Sequence, residues 1–370
     1  MNSTDIALWR PRLRDSLVIE RDGDELLFIS TSDRRVKRFT VSSTVIRLIP
    51  LLDGTHSVAD LVELLCGDSE VSATEVGGAL AVLREERILS QVADPLAGST
   101  ELTDGQIGFY SRQILLFQDL CDSGQLTDQT GLAVQERLLS STVLVCGLGG
   151  LGSVVVPALA AAGVGALIVV DDDVVEESNL TRQLAYSLDD VGRSKVDALA
   201  SRIGRINPDV RVRREMRTVT ASSDLADLTA ESDLVIGCAD HPTVLEVSKV
   251  VTEACWPDTP HFIAGSYSFH VGLMGMLVIP RVTACIHCVY ATFEHLHGRD
   301  RTETFVAKSK HRGIIGAQSG IIGNMIAWEC IRYLIGLESA LGSNWLEFNY
   351  GNMSFDRVEI LRRPDCPWCA

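Results

Sequence analysis

The chain has 370 residues, 46% of them apolar, and a formal net charge of −16. That length accommodates two or three domains with sizeable cores, which excludes a disordered segment or a small disulfide-stapled scaffold. The acidic balance repels phosphate backbones, and with no basic run in the sequence it argues against nucleic acid as a partner.

The first residues, "MNSTDIALWRPRLRD", carry charge and a proline where an export signal needs an apolar core. No later stretch reaches about 18 uninterrupted apolar residues, so no membrane contact is expected and a cytosolic location is. From Leu13 to about Leu89 the pattern is that of a small α+β unit. "SLVIERDGDELLFIS" holds two strand-like runs split by "RDGD", and "RRVKRFTV" supplies a third. Three helical patterns follow: "VSSTVIRLIPLL", "SVADLVELLC" and "SATEVGGALAVLREERIL". In the last, Ser72 stands as N-cap with Glu75 three residues on, the spacing of a capping box. This order is winged-helix-like. Residues 93–105, in a stretch rich in Ser, Gly, Asp and Pro, read as a linker. The expected organisation is therefore a small domain over 1–92, the linker, and a large domain over 106–370.

The large domain begins with "STVLVCGLGGLGSVVVPALAAAGVGALIVVDDD": an apolar strand, a glycine turn, an alanine-rich helix and a second apolar strand ending in acids. That is one βαβ unit of a doubly wound, Rossmann-like α/β sheet. A helix around Lys195 to Ile206, a strand near "VRVRREM" and the strand "DLVIGCAD" continue the alternation. Gly147, Gly149 and Gly152 stand in the G-x-G-x-x-G register, with Gly150 in the same turn, where backbone amides can approach phosphate at a helix N-terminus. Asp171, about 20 residues on, is placed to accept hydrogen bonds from ribose hydroxyls. By itself this pattern favours NAD or FAD.

The next segment shifts the choice to ATP. "DDDVVEESNLTRQLAYSLDDVGRSK" gathers Asp171, Asp173, Asn179, Arg182 and Lys195 within about one βα excursion of the turn. A dinucleotide has no use for that cluster. A triphosphate does: arginine offers a fork of donors, lysine a mobile charge, and carboxylates can hold magnesium. Asp240, at the carboxyl end of "DLVIGCAD", is a second candidate magnesium ligand.

The segments "GLGGLGS", "DDDVVEESNLTRQ", "SK" and "CADHP" resemble those of the ThiF/MoeB family, relatives of ubiquitin-activating enzymes, over about residues 106 to 370. The resemblance implies that Asp171 binds ribose, that Asn179, Arg182 and Lys195 handle phosphates, that Asp240 holds magnesium, and that Asp173 assists at the ribose or metal. "FYSRQILL" is similar to a family segment whose arginine, here Arg112, would meet the γ-phosphate in the neighbouring subunit's site, implying a homodimer. The implied chemistry is formation of an acyl adenylate from a carboxylate and ATP, for which Arg112, Arg182, Lys195 and magnesium offset the repulsion of two anions.

Ten cysteines are present, four of them as the pairs Cys285/Cys288 in "CIHC" and Cys366/Cys369 in "CPWC". Two such turns far apart in sequence match a tetrahedral four-thiolate zinc site. A redox dithiol would need a thioredoxin-like setting that the sequence lacks. From Val289 through Glu329 there is no cysteine, which argues against a thioester step. Cys146, Cys238, Cys255 and Cys330 fall in apolar patterns and read as core residues. His295, His297 and His311 are read as lying in a polar loop.

The N-terminal unit resembles, in pattern, the PqqD-type peptide-recognition element, which holds a leader peptide as an added strand. Joined to the ATP site and zinc clip, it makes the whole chain similar to the peptide-maturing branch of the family, the microcin- and pantocin-type enzymes. That implies a ribosomally made precursor peptide as partner, bound by its leader and adenylated on a carboxyl group, with cyclisation, dehydration or nucleotide attachment following. The rival readings are activation of the C-terminus of a ubiquitin-like or sulfur-carrier protein, and a non-catalytic clamp.

Overall fold

In this computed structural model, which describes residues 8–66, 71–126, 130–241, 243–297 and 313–369, the N-terminal stretch forms three strands followed by three helices. The strands β1 (Leu17–Asp22), β2 (Glu25–Ser30) and β3 (Val36–Thr40) make an antiparallel sheet in that order, leaving β3 at an edge. Along β2 burial alternates with period two, sending Leu26 and Phe28 inward. Helices α1 (Ser43–Leu48), α2 (Val58–Cys66) and α3 (Ala73–Glu85) cover that face with Leu48, Leu61, Leu65, Val76, Leu80 and Leu83. Each such side chain contributes roughly 1.5–3 kcal/mol by leaving water.

Ser72 caps α3 by accepting the Glu75 amide at 3.2 Å. The Glu75 carboxylate accepts a hydrogen bond from Ser42 Oγ at 2.8 Å, so it joins α3 to the start of α1 in addition to marking a helix end. Helix α4 (Asp104–Asp122) opens with a capping box between Thr103 and Gln106. It is tied to the segments flanking β1 and β2 by the pair of buried Arg14 and half-buried Asp119 at 2.7 Å and by Ser32 Oγ, which donates to Asp119 at 2.7 Å. By packing, the chain divides into residues 1–136 and 137–370.

The second unit, entered along α5 (Gly131–Ser140), is built on a six-stranded sheet. Its strands are β4 (Thr142–Cys146), β5 (Ala166–Val170), β6 (Arg211–Glu215), β7 (Leu234–Gly237), β8 (His261–Ile263) and the antiparallel β11 (Leu277–Val278), in the order β11-β8-β7-β4-β5-β6. The chain moves outward from β4 through β5 to β6, then returns to place β7 on the other side of β4. The four-residue to five-residue runs of β4, β5 and β7 are almost wholly buried, as expected for parallel strands covered on both faces. Helices α6 (Gly152–Ala162), α7 (Lys195–Ile206) and α8 (Val244–Cys255) complete the crossovers. A second, antiparallel sheet of β9 (Gly265–Ser268), β10 (Val271–Met274), β12 (Asn344–Asn349) and β13 (Ser354–Glu359) runs in the order β13-β12-β10-β9. Helices α9 (Ile286–His297) and α10 (Gly316–Leu334) lie between its two halves in sequence. Among the described residues no helix is long and apolar enough to cross a membrane.

His261 opens β8 fully buried, its ring between the Thr252 hydroxyl at 3.0 Å and the Thr259 carbonyl at 3.2 Å. Burial lowers its pKa to about 4. The folded value lies below the ordinary one of about 6.5, so the unfolded chain takes up the proton first and stability falls as pH drops from 6.5 towards 4. Between pH 6.5 and 5 the loss from this group is expected to approach roughly 2 kcal/mol. Urea unfolding of the parent and of His261→Gln at both pH values checks this; an equal slope in the two proteins would remove His261 as the source.

Candidate active site

The register of the parallel sheet decides what meets at its carboxyl edge. Cys146 is opposite Val170 in β5 and opposite Gly237 in β7, so the residues that follow each strand emerge at one rim. These are the glycine turn, the acids 171–173 and the segment Cys238–Asp240. They line a cleft of about 640 Å³ that also takes in Asn179, Arg182, Gln183, Lys195 and Tyr267. It sits where the strand order reverses, the position in which open α/β sheets bind ligands.

Two glycines of the turn have identifiable reasons. Gly147 has φ +94°, and a Cβ there would come within 2.3 Å of the Ala239 amide nitrogen, so the turn could not close against β7 with any other residue. Gly149 has open space on its Cβ side, with only Gln183 Nε2 at 3.9 Å. That side of the turn leaves room for a ligand to lie against the backbone. Helix α6 then starts at Gly152 without a side-chain cap, the arrangement in which an anion can serve its first amides.

Asp171 is central to the turn. Its Oδ2 accepts the Leu148 amide at 2.6 Å and its Oδ1 the Asp173 amide at 2.9 Å. Burial raises its pKa, against the lowering effect of Lys195. Lys195 is the first residue of α7, only 5% exposed; its Nζ donates to Asp173 Oδ2 at 2.6 Å and stands 3.9 Å from Asp171 Oδ1. A buried ammonium of this kind needs a counter-charge, which the two acids supply. Asn179 is buried and its Oδ1 accepts the Glu176 amide at 3.2 Å; Arg182, half-buried, spends one donor on the Ser178 carbonyl at 2.9 Å. Asp240 is exposed on the same cleft. The expected residues of the second unit therefore converge. Arg112 is exposed on α4, in the first unit.

Carboxylate oxygens of Asp171, Asp172 and Asp173 come within 4.8 Å of one another, a hard, oxygen-only donor set that suits magnesium. Asp240 is not part of that close group. Asp172, which no motif singled out, accepts from Thr218 Oγ1 at 2.5 Å. Gln183 was also missed. It is buried in the cleft, and its Oε1 has no partner among the described residues, a polar atom that a ligand or water arriving there would satisfy.

Cys285, Cys288, Cys366 and Cys369 are all buried, and their four Sγ atoms lie within 4.8 Å of one another. Cys285 Sγ is 3.5 Å from Cys366 Sγ and Cys288 Sγ is 3.4 Å from Cys369 Sγ. Disulfide sulfurs would be about 2.05 Å apart. Sulfurs around a tetrahedral zinc, each about 2.3 Å from it, would be about 3.8 Å apart, so the set fits that ion. Burial pushes up the thiols of Cys285 and, to about 11, Cys288. Burial also raises Cys146 to about 12 and lifts Cys238, Cys255 and Cys330, which suits core residues and not nucleophiles.

One expectation needs correcting. His295 is an exposed residue of helix α9, not of a loop, because Val289, Phe293 and Leu296 continue the apolar spacing of a helix through it. His297 is the last residue of the same helix, and His311 falls outside the described residues.

A model of the ThiF family matches residues 110–368. The sulfur carrier protein ThiS adenylyltransferase of Escherichia coli (strain K12) is 32% identical over 262 residues, 70% of this chain and 94% of its own length. Among solved structures, E. coli MccB, determined with ATP and separately with MccA, superposes with TM-score 0.73 at 20% identity, covering 97% of this chain and 99% of that one. PaaA superposes with TM-score 0.62 at 23% identity, covering 77% of this chain and 91% of its own.

Proposed function

From the premise that this chain belongs to the ThiF family and is an ATP-dependent adenylyltransferase, we propose that it adenylates a carboxyl group of a ribosomally made precursor peptide held by its leader. The observation that carries this reading is extent. The structural likeness to MccB runs over 97% of the chain, whereas the alignment to the sulfur-carrier activator covers 70%. MccB has been solved with MccA, and an equivalent occupant here would be a peptide. The exposed edge of β3 supports it, since an edge strand offers unpaired backbone groups to which an extended leader can add.

In the proposed reaction, a peptide carboxylate oxygen forms a bond to the α-phosphorus of ATP and the bond from that phosphorus to the bridging oxygen breaks, releasing pyrophosphate. Lys195, Arg182 and Arg112, the last from a second subunit of a homodimer, would offset the charge on the phosphates. Asp171 would hold the ribose, with Asp173 beside it. The glycines at 147, 149, 150 and 152, together with Asn179, would seat the phosphates. Magnesium, held by Asp240 with Asp172 and Asp173 as further oxygen donors on the cleft, would neutralise phosphate charge. Zinc on the four cysteines would serve structure. A nucleophile of the same peptide then takes the acyl carbon and expels AMP. Alternatively the nucleotide stays attached.

Leader binding raises the local concentration of the core peptide at the site. The kcat/KM for a full precursor is therefore expected to exceed that for its leaderless form by roughly 10²-fold or more, measured by pyrophosphate release and by mass spectrometry of the peptide. Equal values would sink the leader reading. The 32% identity to a sulfur-carrier activator favours a second reading, in which the substrate is a small carrier protein with a diglycine tail. Faster pyrophosphate release with such a carrier than with any leader-bearing peptide would establish it instead.

A further inference from the structure

Tyr267 is the third residue of β9, and its side chain faces the cleft. A Cβ built on Gly150 would lie 1.6 Å from the Tyr267 hydroxyl oxygen and 2.7 Å from its Cζ. Gly150 is not among the glycines with left-handed backbone, so its own conformation does not demand glycine. The phenol does. Ser319, in the first turn of α10, is a polar neighbour of the same hydroxyl, and its Oγ donates to the Arg182 carbonyl at 2.8 Å. Arg182 and Asp240 both lie close enough to act on the phenol electrostatically. One side chain therefore joins the glycine turn, the Arg182 segment and the end of β7. Burial raises its pKa, so it stays a neutral donor. Its O–H can donate to an arriving oxyanion without placing further charge in the cleft.

We infer that Tyr267 is a further nucleotide-binding residue, its hydroxyl donating to a phosphate oxygen of the triphosphate on the glycine turn. The inference rests on the nucleotide reading of the cleft. Isothermal titration of the full-length protein with ATP and with adenosine tests both. Tyr267→Phe keeps the ring against Gly150 and removes only the donor. Its Kd for ATP is expected to rise roughly tenfold, the loss of one hydrogen bond to a charged group, while its Kd for adenosine stays within about twofold of the parent. Unchanged ATP affinity would overturn the inference, as would an equal loss for ATP and adenosine, which would mean general damage. A parent protein that binds no ATP would overturn the nucleotide reading itself. A second pair checks the contact. Gly150→Ala should weaken ATP binding in the parent, where the new methyl displaces the phenol, and cost less in a Tyr267→Ala background. Equal cost in both backgrounds would show that the two residues do not meet.

Discussion

Lys195→Ala is expected to lower substrate-dependent pyrophosphate release by roughly a thousandfold. Two unit charges about 4 Å apart interact by about 4 kcal/mol at an effective dielectric near 20, and that much transition-state energy is about three powers of ten in rate. Lys195 is the cation the structure places against the acids, 2.6 Å from Asp173 and 3.9 Å from Asp171, and it is almost wholly buried. Removing it leaves Arg182 and Arg217 as the cations lining the cleft against Asp171, Asp172, Asp173, Glu176 and Asp240, so an anionic nucleotide meets a larger excess of carboxylates. Arginine is not an equivalent replacement, because its planar fork needs more room than the buried ammonium occupies. Release at near the parental rate in the alanine variant would take Lys195 out of the chemistry.

Loss of the metal from the cysteine cluster is expected to be the largest change in stability. Zinc at a thousandfold excess over its Kd already contributes about 4 kcal/mol to the folded state. For a unit of this size that corresponds to a fall in Tm of roughly 10 °C. Cys366→Ser should show the loss without chelator, together with absence of the stoichiometric zinc that elemental analysis of the parent should find. The four thiols are fully buried, so stripping the ion leaves polar groups without the charge that balanced them. Identical melting curves with and without chelator, on protein shown to have lost its zinc, would assign the cluster no structural part.

The nucleotide half was legible because its signals are local and redundant. Apolar runs of five residues, a glycine turn and acids at strand ends state a βαβ unit within forty residues, and the helix expected at Lys195 to Ile206 has those bounds. The two cysteine pairs were legible from spacing alone, since each short turn can present two sulfurs to one ion. The second sheet was not. Its strands "GSYS" and "VGLM" are four residues long and interrupted by glycine, too short for a period of two to show, and β10 finds its partner β12 only after two intervening helices. Tyr267 was hidden for the same reason: it is a lone aromatic in a strand without pattern, and its neighbour Gly150 is more than a hundred residues away in sequence. Gln183 stood in full view inside "NLTRQ", but only its buried, unpartnered oxygen distinguishes it from a surface amide.

The hydrogen bond from the Leu148 amide to Asp171 has a thermodynamic corollary. If Asp171 holds the ribose as proposed, the carboxylate that grips the sugar also braces the backbone of the glycine turn, so the two ends of a nucleotide would not be recognised independently. Occupancy at either end should tighten the other by the same factor, as reciprocity between linked equilibria requires. Split into AMP and pyrophosphate, the product pair would then bind with synergy, and leave the cleft faster once either had gone.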